Sequence, residues 1–501
     1  MTEAKKERIL QKNARALIER NRRETTWIFD NDNYLRWFAQ ADSALLGIFG
    51  IPGSGKSILA SQVIDTLSSS YDGEANLCYY YCDYADCRTL SAYTIIATIL
   101  RQWLGHPVGQ KVGLQEWIID QFYEQQFRPP IDDLISKVLE VLAESTEVCL
   151  VLDGLDELDD DEQVILATTM ARLLQVNQCQ VKIVASCRGE SMKRKVFWYS
   201  GFSVTMSPQE LGGDMEVFVE HAIDKKIQDG ELNLNNVLLK QEVVAKLTDG
   251  AQAMFLWVHF QIAELCEARS EDEIRRALTD LPRDLSKTYL RIVTRIFGSK
   301  TAFSTERVEL IFCWLMCARR LLTIEELSEA LAIREDDTCL VRDRIVLDGK
   351  QLLQDCGNLV VVDPEDGTVK FAHHTVREFF IRRHWELSII VNLTDEDDAQ
   401  NHSILPDANS KIARLCLQYL HFSDFESQIT LRSENQTAVP FNEGFIEAIV
   451  PQQLSPIART VADRFFRPTH RTRDITLKFP QKREYNPLEQ KYHMLDYVTG
   501  G

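Results

Sequence analysis

Between residues 44 and 206, short apolar runs alternate with longer stretches patterned at helical spacing. The runs cover 45–49, 77–83, 148–153, 183–186 and 202–206, and helical patterns such as 57–67 and 131–142 lie between them. Strands alternating with helices predict a parallel sheet covered on both faces. After Ser207 the β pattern fades. Helices are expected over 215–227, 236–247, 254–268, 271–278 and 285–296, with Pro282 and Gly298 as punctuation. Within 302–385, helices accompany two β-branched runs, 358–362 and 368–372, joined by Asp363-Pro364-Glu365-Asp366-Gly367. That connection suits a hairpin, and three helices with a β-wing make a winged helix. The polar, acidic stretch 392–409 reads as a linker, 412–420 as a helix, and 424–450 is weakly patterned. No solenoid or propeller repeat is present.

Composition narrows the class. The 501 residues suit roughly three domains. Apolar residues are 45% and charged residues 26%, which excludes a disordered or collagenous chain. The net charge of -19 argues against bulk contact with nucleic acid or anionic lipid, so no nucleic-acid partner is expected. Twelve scattered cysteines read as free thiols in a reducing compartment. No run is long enough for a membrane span. The first residues lack the apolar segment of a signal peptide, and Glu3, Glu7, Glu19 and Glu24 do not suit a transit peptide. Ile9, Leu10, Ala14, Leu17 and Ile18 recur at helical spacing, so a short amphipathic helix is expected there. The expected location is cytoplasmic.

The chemistry begins at Gly50-Ile51-Pro52-Gly53-Ser54-Gly55-Lys56-Ser57, which matches GxxxxGK[ST] between a strand and a helix. Glycines let backbone N–H groups approach phosphate oxygens, and the helix N-terminus adds partial positive charge. Lys56 would reach the β- and γ-phosphates, and Ser57 would ligate Mg²⁺. The run 148–153 ends in Asp153, at the strand end that faces the ligand crevice of a parallel sheet. Asp153 would hold the Mg²⁺ shell through water. Asp156 or Glu157 would orient or deprotonate the attacking water, and the sequence does not choose between them. The strand 181–186 leads to Arg188, placed to sense the γ-phosphate or stabilise transferred charge.

In this order the motifs resemble the NACHT group of STAND signal-transduction ATPases. The form Asp153-Gly154-Leu155-Asp156-Glu157 is the discriminating part. Trp27-Ile28-Phe29 with Trp37 is similar to the lead-in of fungal nephrocystin-like NACHT proteins, and Tyr80-Tyr81-Cys82-Asp83 to their second strand. Gly250 through Met254-Phe255-Leu256-Trp257 resembles their GMFLW helix, with Gln252 and Ala253 inserted. Leu281-Pro282-Arg283-Asp284-Leu285 with Tyr289 resembles their LPxxL…Y segment. Leu321-Leu322-Thr323-Ile324-Glu325-Glu326-Leu327, Cys356-Gly357-Asn358-Leu359-Val360 and Phe371-Ala372-His373-His374-Thr375-Val376 resemble their winged helix. The likeness covers about residues 25–385.

The resemblance implies an α/β P-loop NTPase domain, a parallel sheet with flanking helices, followed by an all-α domain, a winged-helix domain and a helical C-terminal region. The expected divisions are 1–26 (amphipathic helix), 27–207, 208–300, 301–390 and 391–501. It implies ATP/ADP with Mg²⁺ as ligands, and a histidine on the β-phosphate of ADP, here His373 with His374 as the alternative. It implies a signalling switch, in which slow ATP hydrolysis and exchange are coupled to opening and homo-oligomerisation under an unidentified protein trigger or effector. A constitutive AAA+-like ATPase motor and a scaffold with a structural nucleotide are the alternatives. Relatives often carry an N-terminal effector domain and C-terminal repeats, so a bare core or a truncated chain is expected.

Other features carry less. Cys78, Cys82 and Cys87 fit no usual zinc spacing. The basic, aromatic stretch 464–473 reads as a solvated or acid-binding surface. The 254–257 stripe reads as helix core. Similar winged helices occur in proteins named for inositol deacylation, but no GxSxG elbow offers an esterase nucleophile.

Overall fold

The computed structural model describes residues 27–70, 77–104, 106–121, 129–188, 201–234, 236–299, 302–346, 349, 353, 355–363, 366–382, 408–425 and 492–500. The helix expected within 1–26, the acidic stretch 392–407, and residues 426–450 and 464–473 lie outside the described residues.

Helix α1 (Asp32–Ala39) leads into β1 (Ala44–Gly50), and α2 (Lys56–Ser70) follows the phosphate loop. Then come β2 (Leu77–Tyr81), α3 (Ala92–Gln102), α4 (Ile131–Ala143), β3 (Glu147–Asp153), α5 (Asp160–Leu174), β4 (Gln180–Cys187) and β5 (Gly201–Met206). The strands lie in the order β2-β3-β4-β1-β5, and every neighbouring pair is parallel. Every residue of β1 is buried, as a sheet covered on both faces requires. Alternate side chains feed two cores: Leu45 and Phe49 meet α3, α4 and α5, while Leu46 and Ile48 meet α1 and α2. Lys182 of β4 is 2% exposed. Its ammonium donates to the Trp37 and Gln40 carbonyls at 2.6 and 2.5 Å, satisfying the C-terminal end of α1.

Helices α6 (Pro208–Gln228), α7 (Val237–Ala251), α8 (Phe255–Leu265), α9 (Glu271–Thr279) and α10 (Leu285–Ser299) come next. Helix α6 starts earlier than its apolar pattern suggests, because Ser207 caps it by accepting from the Glu210 N–H at 3.3 Å. Gly298 is the penultimate residue of α10, with open space around it.

The winged helix contains α11 (Ala302–Cys317), β6 (Leu322–Thr323), α12 (Ile324–Ala330), β7 (Val360–Val362), β8 (Thr368–Phe371) and α13 (His374–Arg382). Its strands lie antiparallel in the order β6-β8-β7. Thr323 and Glu326 form a capping box that starts α12, which gives the Leu321–Leu327 motif a local physical reason. Helices α14 (Ala408–Leu420) and α15 (Met494–Gly500) pack on this unit. One core runs from Met215 to Leu495, so the helical segment and the winged helix share their apolar interior. Among the described residues, no helix is long and apolar enough to cross a membrane.

Candidate functional site

The phosphate loop leaves β1 with Gly53 and Gly55 in the left-handed region, at φ 75° and 88°. The start of α8 sits on this loop. The Leu256 N–H donates to the Gly53 carbonyl at 3.3 Å, and a Cβ on Gly53 would come within 2.7 Å of the Leu256 Cβ. Phe255 lies beside Gly55. The inserted Gln252 and Ala253, at φ 47° and 66°, turn the chain from α7 into α8 and set these two side chains over the loop. Trp257 is buried in the helical core, as expected, whereas Phe255 and Leu256 are only half-buried.

Around the loop, Gly50 and Ser54 are buried, Pro52 and Ser57 half-buried and Ile51 exposed. The Lys56 ammonium donates to the Gly50 and Ile51 carbonyls, both at 3.1 Å. Burial lowers its pKa, while Asp156 and Asp153 act in the opposite sense. A partly desolvated cation folded along a cradle of left-handed glycines suits a phosphate anion.

Asp153 closes β3 and is 3% exposed. Its carboxylate accepts from the hydroxyls of Ser186 and Ser57, and burial nevertheless raises its pKa. The Gly154 N–H donates to Ser186 Oγ at 3.0 Å. Gly154 has φ 75°, and a Cβ there would stand 3.3 Å from Cys82, so the small residue after Asp153 has both a conformational and a steric cause. A buried carboxylate whose charge is disfavoured, next to a hydroxyl, is a donor set that fits Mg²⁺. Among the described residues, no group of three or more His, Cys, Asp or Glu could hold a metal, so Ser57 and Asp153 would need water and phosphate oxygens to complete the shell.

Asp156 and Glu157 lie in a short turn before α5, whose own cap is Asp159, accepting from the Glu162 N–H at 2.9 Å. They face different partners. Arg188 donates to Asp156 through its backbone N–H at 2.7 Å and through Nε, while its Nη1 reaches both oxygens of Glu378 on α13, at 3.0 and 3.1 Å. Burial would lower the Arg188 pKa, but the two carboxylates outweigh it and raise it. Glu157 Oε1 lies 3.8 Å from His374 Nδ1. Burial, then Asp83, Asp156 and Asp153, push the Glu157 pKa well above the usual range, and burial pulls that of His374 far down. At 3.8 Å the two side chains meet without a hydrogen bond. Tyr84 packs edge-on against His374 and donates its hydroxyl to the Phe371 carbonyl at 2.7 Å, tying the P-loop domain to the winged helix.

His373 precedes α13. Its Nδ1 accepts from the Thr375 N–H at 3.3 Å and lies 2.8 Å from Thr375 Oγ1. Burial lowers its pKa to about 3, with further contributions from the charges of Lys56 and Arg188. Lys56, Asp153, Asp156, Arg188 and His373 are thus brought into one electrostatic neighbourhood. Four contributors were not identified from sequence: Ser186, Tyr84, Thr375 and Glu378. Glu378 lies one helical turn after His374, a spacing that puts both on one face of α13, but nothing in the sequence names its partner.

Comparison with known proteins agrees with this geometry. Residues 24–188 match the family described as Nephrocystin 3, N-terminal, and residues 299–392 match GPI inositol-deacylase, winged helix domain. The chain is 22% identical over 379 residues to vegetative incompatibility protein HET-E-1 of Podospora anserina, covering 71% of this chain and 26% of that protein. It therefore spans about a quarter of the length of that relative. Among solved structures it is similar to the Aeropyrum pernix ORC2 protein, at 16% identity and TM-score 0.30, over 74% of this chain and 92% of that one. It is also similar to Cdc6p from Pyrobaculum aerophilum, at 11% identity and TM-score 0.32, over 72% and 91%. In chain order, residues 24–188 and 299–392 thus match the P-loop and winged-helix parts of NACHT-type NTPases, and the chain is similar to such proteins over these two segments.

Proposed function

We propose that this NTPase is a cytoplasmic nucleotide-operated switch whose winged helix folds over the phosphate site. The observation that carries the reading is Arg188, held at once by Asp156 and by Glu378 of the winged helix. In this arrangement neither candidate water-activating acid is free. Asp156 is engaged by Arg188, and Glu157 is buried beside His374, with its pKa pushed up by burial.

The P-loop N–H groups and Lys56 would bind the nucleotide phosphates, and Ser57 and Asp153 would hold Mg²⁺. When bound, Mg²⁺ neutralises charge between the β- and γ-phosphates. His373 would donate to the β-phosphate of ADP and so favour the closed form. The γ-phosphate of ATP would compete with Glu378 for Arg188, release α13 and leave Asp156 or Glu157 able to take a proton from water. Slow hydrolysis would then reset the switch, and the opened chain would assemble into homo-oligomers under a protein trigger. Moving such an equilibrium from 1:99 to 99:1 takes about 5.5 kcal/mol of differential binding, and a forked Arg188 contact exchanged for phosphate supplies part of that.

A constitutive motor is disfavoured by the occupied state of both acids. The test is Lys56→Ala, which should abolish nucleotide binding and ATP-dependent assembly. Assembly retained in that variant contradicts the reading.

A further inference from the structure

The backbone geometry at His373 determines which ring nitrogen carries its proton. The Thr375 N–H points at His373 Nδ1 from 3.3 Å, and a backbone N–H can only donate. Nδ1 is therefore an acceptor, and the neutral ring carries its proton on Nε2. The imidazole acts as the cap of α13, a place usually taken by Ser, Thr, Asn or Asp. Thr375 Oγ1 also lies 2.8 Å from Nδ1, and Tyr289 Oη lies 2.7 Å from Thr375 Oγ1. With Nδ1 accepting, the hydroxyl protons run one way, from Tyr289 to Thr375 to His373. Tyr289 is 1% exposed, packed edge-on against Phe260 and Phe379, so its hydroxyl has a fixed address. Tyr289 belongs to α10 of the helical segment, and Thr375 and His373 to the winged helix.

We propose that Tyr289 and Thr375 are positioning residues that hold His373 as the Nε2–H tautomer, leaving Nε2 as a hydrogen-bond donor for a terminal phosphate oxygen of a nucleoside diphosphate. This rests on the switch reading, and it deepens it. The nucleotide-sensing histidine is oriented by a relay anchored in the helical segment, so a shift of α10 against α13 would retract the donor without touching the phosphate loop.

The test uses the full chain loaded with fluorescent ADP. Thr375→Val keeps the shape and removes the hydroxyl. It should speed ADP release about fivefold, the factor one neutral hydrogen bond is worth. Thr375→Ser should restore release to the wild-type rate, and Tyr289→Phe should fall between. In a His373→Ala background, Thr375→Val should add nothing. His373→Gln, which keeps a donor near the Nε2 position, should retain ADP better than His373→Asn, which keeps only the cap. In histidine-labelled protein, two-bond nitrogen–proton correlations should show the His373 Nδ1 unprotonated. A protonated Nδ1, or Thr375→Val with wild-type release while His373→Ala is fast, overturns the relay and leaves the switch standing. Unchanged release in His373→Ala removes the histidine from the switch, and the relay with it.

Discussion

Arg188 Nη1 reaches both carboxylate oxygens of Glu378, at 3.0 and 3.1 Å, across 190 positions of sequence. The same guanidinium holds Asp156. One side chain thus joins the strand edge that carries the hydrolytic candidates to the element that covers them. Glu378→Ala removes the winged-helix half of the contact while Asp156 still satisfies Arg188. Glu378 is about a third exposed, at 34%, so solvent screens the pair and the expected effect is about 1 kcal/mol, or about fivefold faster ADP release. Rapid-mixing release of a fluorescent ADP reads it directly, and an unchanged rate would deny the contact a role in closure.

The histidine pair gives a signed pH dependence. Folding lowers the pKa of His373 to about 3 and that of His374 further, so below the ordinary value near 6.5 the unfolded chain binds more protons. Their contribution to stability is full above about pH 6.5 and is lost as pH falls. Glu157 and Asp153, with raised pKa values, act in the opposite sense. The useful quantity is therefore the difference between the wild type and a His373→Gln/His374→Gln double variant. Between pH 7 and pH 6 the wild type should lose about 1 kcal/mol relative to the variant in urea unfolding. Parallel pH profiles would contradict the buried, neutral state assigned to both rings.

Lys182 offers a stability test away from the nucleotide. Lys182→Ala leaves the Trp37 and Gln40 carbonyls without their donor and opens space beneath α1. The expected loss is about 3 kcal/mol in chemical denaturation. Lys182→Met, which refills the space without the donor, should recover less than half. Full recovery would show that packing, not the ammonium, holds α1 to the sheet.

Gly154 and Gly230 separate sterics from backbone conformation. Both have positive φ, 75° and 74°, but a Cβ at Gly154 meets Cys82 at 3.3 Å whereas one at Gly230 meets nothing within 4 Å. Gly230→Ala should cost about 1 kcal/mol, the left-handed penalty alone. Gly154→Ala should cost more and also weaken Mg²⁺-dependent nucleotide binding, because Asp153 and Ser186 are held through Gly154. Equal costs would remove the steric reason for glycine after Asp153.

Much of the fold was legible because its signals are local. Strands β1 and β3 of the parallel sheet are buried apolar runs, and Thr323 with Glu326 writes the start of α12 in four residues. The phosphate loop is legible for the same reason: its glycines, Lys56 and Ser57 are contiguous. The Arg188–Glu378 contact was not, since a glutamate on a helix face is ordinary until the chain folds back and presents it to a strand end. The choice between His373 and His374 was equally closed to sequence. The two rings lie side by side, 3.9 Å apart between centroids, and only the structure shows His373 capping α13 and His374 beside Glu157 and Tyr84. The role of Phe255 and Leu256 was hidden by Gln252 and Ala253, two non-glycine residues in the left-handed region, which no pattern of hydrophobicity announces.

The central claim is that the winged helix closes over a retained nucleotide and keeps the hydrolytic acids engaged. Its most direct measurement is the nucleotide carried by freshly purified protein, released by heat and identified by chromatography. Close to one ADP per chain is expected, lost on Lys56→Ala. An empty site together with rapid multiple turnover of ATP would contradict it and indicate a motor.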